Sequence, residues 1–140
     1  MCLKKVVEPS KEYLYFIFRV FVGGMFAYHG AQKLGFLTSF VAAGFAPFGQ
    51  AWLGTVVAYV ELLAGLAILL GLFTRPAAFS GAVVMVSAYF IAHSPTVLWD
   101  PLSGKGEMAM LYFAGFLALV AYGAGKWSLE KALFKKELLW

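Results

Sequence analysis

Apolar residues run along this chain in four long blocks, separated by short stretches where glycine, proline and charge collect. The first block begins near Tyr13, after a polar and charged opening over residues 1–12, and reaches about Lys33. The second, WLGTVVAYVELLAGLAILLGLF, covers Trp52 to Phe73. A third runs over about 76–93, and the fourth, EMAMLYFAGFLALVAYGAG, covers Glu107 to Gly125. At about 1.5 Å rise per residue, helices of these lengths cross roughly 30 Å of hydrocarbon with modest tilt.

The stretches between the blocks carry their own signals. GLFTRP puts a glycine, an arginine and a proline close together, which predicts a tight turn between antiparallel helices. HSPTVLWDPLSGKG, with its prolines, glycines and Asp100, predicts a loop. GFLTSFVAAGFAPFGQ is uncharged and rich in aromatics, but its uninterrupted apolar run is too short to span; it predicts an interfacial or partly re-entrant segment. The tail, residues 126–140, reads KWSLEKALFKKELLW and predicts an amphipathic helix at the headgroup layer. The pattern therefore predicts an all-α fold: a transmembrane four-helix bundle with a short amphipathic C-terminal helix, in one domain over residues 1–140.

Composition strengthens the membrane reading. With 62% hydrophobic and 13% charged residues in 140, a soluble domain could not bury the apolar surface, because small domains leave much of their surface exposed. The net charge of +4 matters through its placement. Lys4, Lys5, Lys11, Arg75, Lys126, Lys131, Lys135 and Lys136 fall on one side of a four-span layout, against Lys33 and Lys105 on the other. The positive-inside rule then predicts a multi-pass protein of the cell membrane with both termini cytoplasmic. No phosphate loop, zinc spacing or basic stripe with aromatics is present, so neither a metal centre nor a nucleic-acid partner is expected. Cys2 is the lone cysteine and excludes an intrachain disulfide; it reads as an inert terminal residue.

The polar residues inside the blocks are the candidate chemistry. Counting from Tyr13, Arg19 lies about 9 Å deep, and Glu61 lies about 14 Å above Leu70 at the end of the second block. Charges at such depth are costly when alone, so an Arg19–Glu61 ion pair between helices one and two is expected, with snorkelling of Arg19 as the other arrangement. A second group gathers towards the opposite face. His29 and Lys33 share one face of the first helix a turn apart, His93 ends the third, and Glu107 opens the fourth. These four are the candidate catalytic or proton-relay residues, since histidine changes charge near neutral pH. A hydrogen-bonded rim that caps helix ends is the competing reading. Gly23, Gly24, Gly65 and Gly71 are candidate packing positions where helix backbones approach closely.

In order along the chain, FRVFVGGMFAYHGAQKL, VAYVELLAGLAILLGLFTRPAA, His93 and GKGEMAMLYFAGFLALVAYGAGKWSL resemble the DoxX family of small four-helix membrane proteins. The family pattern falls on Arg19, His29, Gly30, Lys33, Glu61, Gly65, Gly71, Arg75 and Glu107. The resemblance implies a link to quinone chemistry, because the family takes its name from a small subunit associated with a terminal quinol oxidase and with thiosulfate:quinone oxidoreductase activity. The residues themselves supply no electron carrier: paired haem histidines, a cysteine set for iron–sulfur and a nucleotide fingerprint are all missing from the sequence. The leading expectation is an accessory membrane subunit of a quinone-linked oxidoreductase system, with no covalent cofactor. Its expected partners are the lipid bilayer, a quinone, a soluble or membrane redox subunit, and further copies of the chain. A structural or assembly protein anchoring a soluble redox partner is the first alternative. A small-solute transporter is the second.

Overall fold

A computed structural model describes residues 2–36, 51–92 and 106–135. Its elements are all helical: α1 (Cys2–Lys33), α2 (Ala51–Leu70), α3 (Thr74–Ala92), α4 (Glu107–Tyr122) and α5 (Leu129–Phe134). The expected interfacial segment (35–50) and outer loop (93–106) fall outside the described residues over 37–50 and 93–105, as do His93 and the last residues of the tail. Three helical stretches, Ser10–Lys33, Trp52–Leu70 and Thr74–Ile91, are long and apolar enough to cross a membrane; Glu107–Tyr122 is apolar but shorter.

Local chemistry sets the helix ends. Past α2, Gly71 turns into the left-handed region at φ 70°. Its N–H bonds the Ile68 carbonyl at 3.1 Å while that of Leu72 bonds Ala67 at 2.8 Å, so two carbonyls left over at the helix end are satisfied. α2 therefore stops at Leu70, short of Phe73. α1 ends the same way, with Gly35 at φ 78° and the Phe36 N–H on the Ala31 carbonyl at 3.1 Å. α3 begins at Thr74, earlier than Pro76, because a proline in the first turn forfeits no helical hydrogen bond. α4 closes at Tyr122, where Gly123 (φ 73°) ends the helix before Gly125.

The helices associate through small residues. α1 lies along α2, α3 along α4, and α2 against α3, while α1 meets α4 only over a short stretch. A side chain at Gly23 would meet the Leu69 nitrogen at 2.5 Å, one at Gly65 would meet Ala27 Cβ at 2.8 Å, and one at Gly30 would meet the Ala58 oxygen at 2.7 Å. In a bilayer there is little hydrophobic drive to bring helices together, so such close backbone approach is what holds them. Gly24 meets only Leu69 Cδ1, at 3.8 Å, an ordinary contact. On the other seam, Gly81 leaves room for the Phe116 ring, which meets Phe26 edge-on at a centroid distance of 4.7 Å. Phe26, Ile68, Phe116 and Leu119 form the fully buried centre. Phe21, Leu63, Phe79 and Leu111 point outward, as residues facing lipid do.

These contacts also fix the antiparallel register, and the register corrects one expectation. Gly23 faces Leu69, Ala27 faces Gly65 and Gly30 faces Leu62. Glu61 is thereby level with Ala31, while Arg19 is level with the turn that follows α2, about 18 Å further along the axis. The two charges do not pair. Counting inward from Tyr13 and from Leu70 assumes that these two residues share one depth, whereas Leu70 packs beside the turn of α1 that carries Arg19.

Arg19, only 1% exposed, serves the α2 terminus. Its Nη1 donates to the Ile68 carbonyl at 3.4 Å and its Nη2 makes a short hydrogen bond to the Trp127 carbonyl, with the Phe16 ring 5.5 Å beneath the guanidinium. Arg75 Nη1 likewise donates to the Val120 carbonyl at 3.0 Å, and the Tyr15 hydroxyl to that of Gly123 at 2.6 Å. Cationic or O–H donors thus sit at the C-terminal ends of α2 and α4, where unpaired carbonyls and the helix dipole favour them. The tail joins the same end. The backbone N–H of buried Glu130 bonds Gly71 at 3.2 Å, and its carboxylate accepts from the Phe73 N–H at 3.2 Å. α5 is accordingly a six-residue strap on the α2–α3 turn, with Leu129, Leu133 and Phe134 left exposed on its other side.

Candidate functional site

The register that separates Arg19 from Glu61 delivers Glu61 to a different partner. Lys33, on the last turn of α1, extends its Nζ to Glu61 Oε1 at 2.6 Å. The Glu61 side chain is 1% exposed and that of Lys33 is 23% exposed, so the pair runs from the protein interior towards the end of α1. His29 shares the α1 face with Lys33 and lies within electrostatic range of the carboxylate. α4 contributes Tyr112, whose ring meets His29 edge-on at 6.0 Å and whose hydroxyl is also in range of Glu61. Phe26 and Phe116 close the cluster on its inner side, at 5.8 and 5.9 Å from the Tyr112 ring.

Three helices therefore bring one carboxylate, one ammonium, one imidazole and one phenol into an otherwise apolar interior. Two polar atoms in it stand out. Glu61 Oε2 and the Tyr112 hydroxyl are buried, and neither has a hydrogen-bond partner among the described residues. Buried polar atoms are nearly always satisfied, so each calls for an explanation, among them a bound group, an ordered water or a catalytic role; Arg19 Nε and Thr74 Oγ1, at the opposite end of the bundle, are left over in the same way. The set offers an acceptor at Glu61, donors at Lys33 and Tyr112, and a group at His29 that can do either. Among the described residues, no three His, Cys, Asp or Glu side chains gather as a metal-binding group.

His29 and Lys33 are in the cluster. Glu107, at the first position of α4, is exposed and makes no ion pair with it among the described residues. His93 lies outside the described residues. Glu61 moves from the expected inner pair into this cluster. Sequence reasoning passes over Tyr112, although a tyrosine inside an apolar run carries a hydroxyl that has to be placed somewhere. Gly30 and Gly65 support the site from behind, because their lack of a side chain sets how α1 slides along α2 and hence which residue meets Glu61.

Comparison with known proteins gives a family but no activity. A Haemophilus influenzae protein described as an uncharacterized protein is 35% identical over 132 residues, covering 93% of this chain and 98% of that one. No solved structure matches. The sequence model of one family, DoxX, matches residues 14–94, which include Arg19, His29, Lys33 and Glu61. This chain is a multi-pass membrane protein, in contact with the bilayer, and it belongs to the DoxX family.

Proposed function

We propose that the chain is an accessory membrane subunit of a quinone-linked oxidoreductase system, in which the cluster of His29, Lys33, Glu61 and Tyr112 receives the headgroup of a lipid-soluble carrier. The observation that carries this reading is the Lys33–Glu61 pair at 2.6 Å, its carboxylate buried, set beside two unpartnered polar atoms. A closed structural bridge would use its hydrogen-bonding capacity internally, whereas this one leaves an acceptor and a hydroxyl over. The donor set fits a headgroup with oxygen atoms on its rim. Lys33 would orient it and stabilise negative charge on an oxygen, and Tyr112 would donate to a second polar atom. His29 would hold or pass on a proton, with Glu107 and His93 as further relay groups towards the surface. The carrier would supply the electron transfer that no side chain here provides.

Binding of a short-tailed quinone to the purified protein tests this. Folded wild type should bind it, and His29→Ala should weaken binding about tenfold or more while remaining folded. Absence of binding by the folded wild type would replace this reading with that of a scaffold, for which the strap of α5 across the α2–α3 turn would be the natural anchoring element. The same proposal places both termini in the cytoplasm, supported by the eight basic residues on one side against two on the other. A reporter fused after Lys135 should be active in the cytoplasm and one inserted near residue 100 outside it; the reverse pattern would overturn the orientation.

A further inference from the structure

The unpartnered atoms of the cluster differ in what they can accept, and that difference selects a ligand. Glu61 is held as one member of an ion pair, its Oε1 taking the Lys33 ammonium at 2.6 Å. A carboxylate in such a pair only accepts hydrogen bonds, so Oε2, buried and unpartnered among the described residues, can be satisfied only by a donor. The Tyr112 hydroxyl can donate or accept. We infer that the Glu61–Tyr112 face of the cluster is a subsite for a membrane-soluble molecule bearing a hydroxyl group on an apolar or aromatic body, and that it discriminates against the same molecule with a carbonyl or ether in place of that hydroxyl.

One hydroxyl meets both demands, since its proton goes to Glu61 Oε2 and its oxygen accepts from Tyr112. A carbonyl or ether oxygen meets only the demand of Tyr112. It also sets lone pairs against a carboxylate, leaving Oε2 buried and bare, and a site built around a substrate hydroxyl rejects analogues that lack it for this reason. The surroundings suit an aromatic body: Phe26 and Phe116 pack on the Tyr112 ring, and His29 approaches its edge. This deepens the quinone-linked reading, on which it rests, by assigning the reduced, hydroxyl-bearing form as the one held at this face. It also gives Glu61 a role of its own, accepting the proton of the ligand's hydroxyl.

Two probe pairs are measured on the purified full chain in detergent: 4-nonylphenol against its methyl ether, and a short-tailed benzoquinol against its quinone under anaerobic conditions. The wild type should bind the phenol and the quinol at least roughly tenfold more tightly than their partners. Glu61→Gln, whose amide both donates and accepts, should erase most of that preference. Tyr112→Phe, which leaves the Lys33–Glu61 bridge intact, should weaken the hydroxyl forms several-fold and serves if Glu61→Gln fails to fold. Equal affinity of the wild type for hydroxyl and carbonyl forms would overturn the hydroxyl selectivity while leaving quinone binding standing. A Tyr112→Phe protein with wild-type affinity and preference would remove Tyr112 from the subsite and overturn the geometry inferred. Absence of binding by all four probes would sink both the inference and the reading it rests on, with ordered water then the natural partner of the two atoms.

Discussion

Gly65→Val should leave no folded protein. A side chain at residue 65 would drive into the backbone of Ala27 and its Cβ, which lies at 2.8 Å from the position a Cβ would take. Backbone cannot rotate aside as a side-chain tip can, so α1 and α2 would have to separate. Overpacking a tight core ordinarily costs about 1–3 kcal/mol, and more where the obstacle is rigid. Separation would also dissolve the seam that supplies α1–α2 packing and would pull Lys33 off Glu61. Gly30→Val should act in the same way, against Ala58 and Leu62. Gly24→Val is the control on the same helix: its nearest neighbour is the end of the Leu69 side chain at 3.8 Å, and it should fold with nearly wild-type yield. Fluorescence-detected size-exclusion of the wild type and the three variants reads the contrast, and equal yields from Gly65→Val and Gly24→Val would show that α1 and α2 do not meet along this seam.

Lys33→Met should be the most damaging single change outside the glycines, although the lysine is partly exposed. Removing it leaves Glu61, 1% exposed, with neither oxygen paired among the described residues. Breaking a buried pair by deleting one partner costs about 3–5 kcal/mol, because the remaining charge is stranded in a medium that cannot solvate it. Lys33→Met/Glu61→Gln removes both charges and should recover most of the loss, even though it abolishes the electrostatic interaction entirely. Melting of the detergent-solubilised proteins gives the order: Lys33→Met least stable, the double variant between it and the wild type.

The helices themselves were legible in the sequence, because apolar blocks bounded by glycine, proline and charge specify spans without reference to anything distant. Depth was less so. Residue counts from an assumed membrane edge put Arg19 and Glu61 at nearby depths, yet an offset of a few residues between two helices redirects every charge to another neighbour. Part of the information on the offset was present: setting Gly23, Gly65 and the small stripe through Ala27 against each other, as the structure does, brings Ala31 level with Glu61. The partners of Arg19 could not have been read, since the Ile68 and Trp127 carbonyls belong to the backbone and carry no residue signature. The burial of Glu130 against the α2–α3 turn was hidden for a similar reason, as a Lys/Glu-rich tail looks the same whether it floats on headgroups or straps a turn. His29 and Lys33 could be placed side by side because a one-turn spacing on a single helix depends on no tertiary register. Tyr112 was passed over because its environment is contributed by α1 and α2.

The placement of Glu61 in the Lys33 cluster, away from Arg19, underlies both the site and the ligand chemistry drawn from it. Two double-mutant cycles run side by side in the same detergent test it, one pairing Lys33→Met with Glu61→Gln and the other pairing Arg19→Met with Glu61→Gln. Side chains in direct contact couple by about 0.5–3 kcal/mol, while sites further apart than roughly 10 Å add. The Lys33 cycle should show clear coupling, and the Arg19 cycle additivity within about 0.5 kcal/mol. Coupling between Arg19 and Glu61 with additivity between Lys33 and Glu61 would contradict that placement.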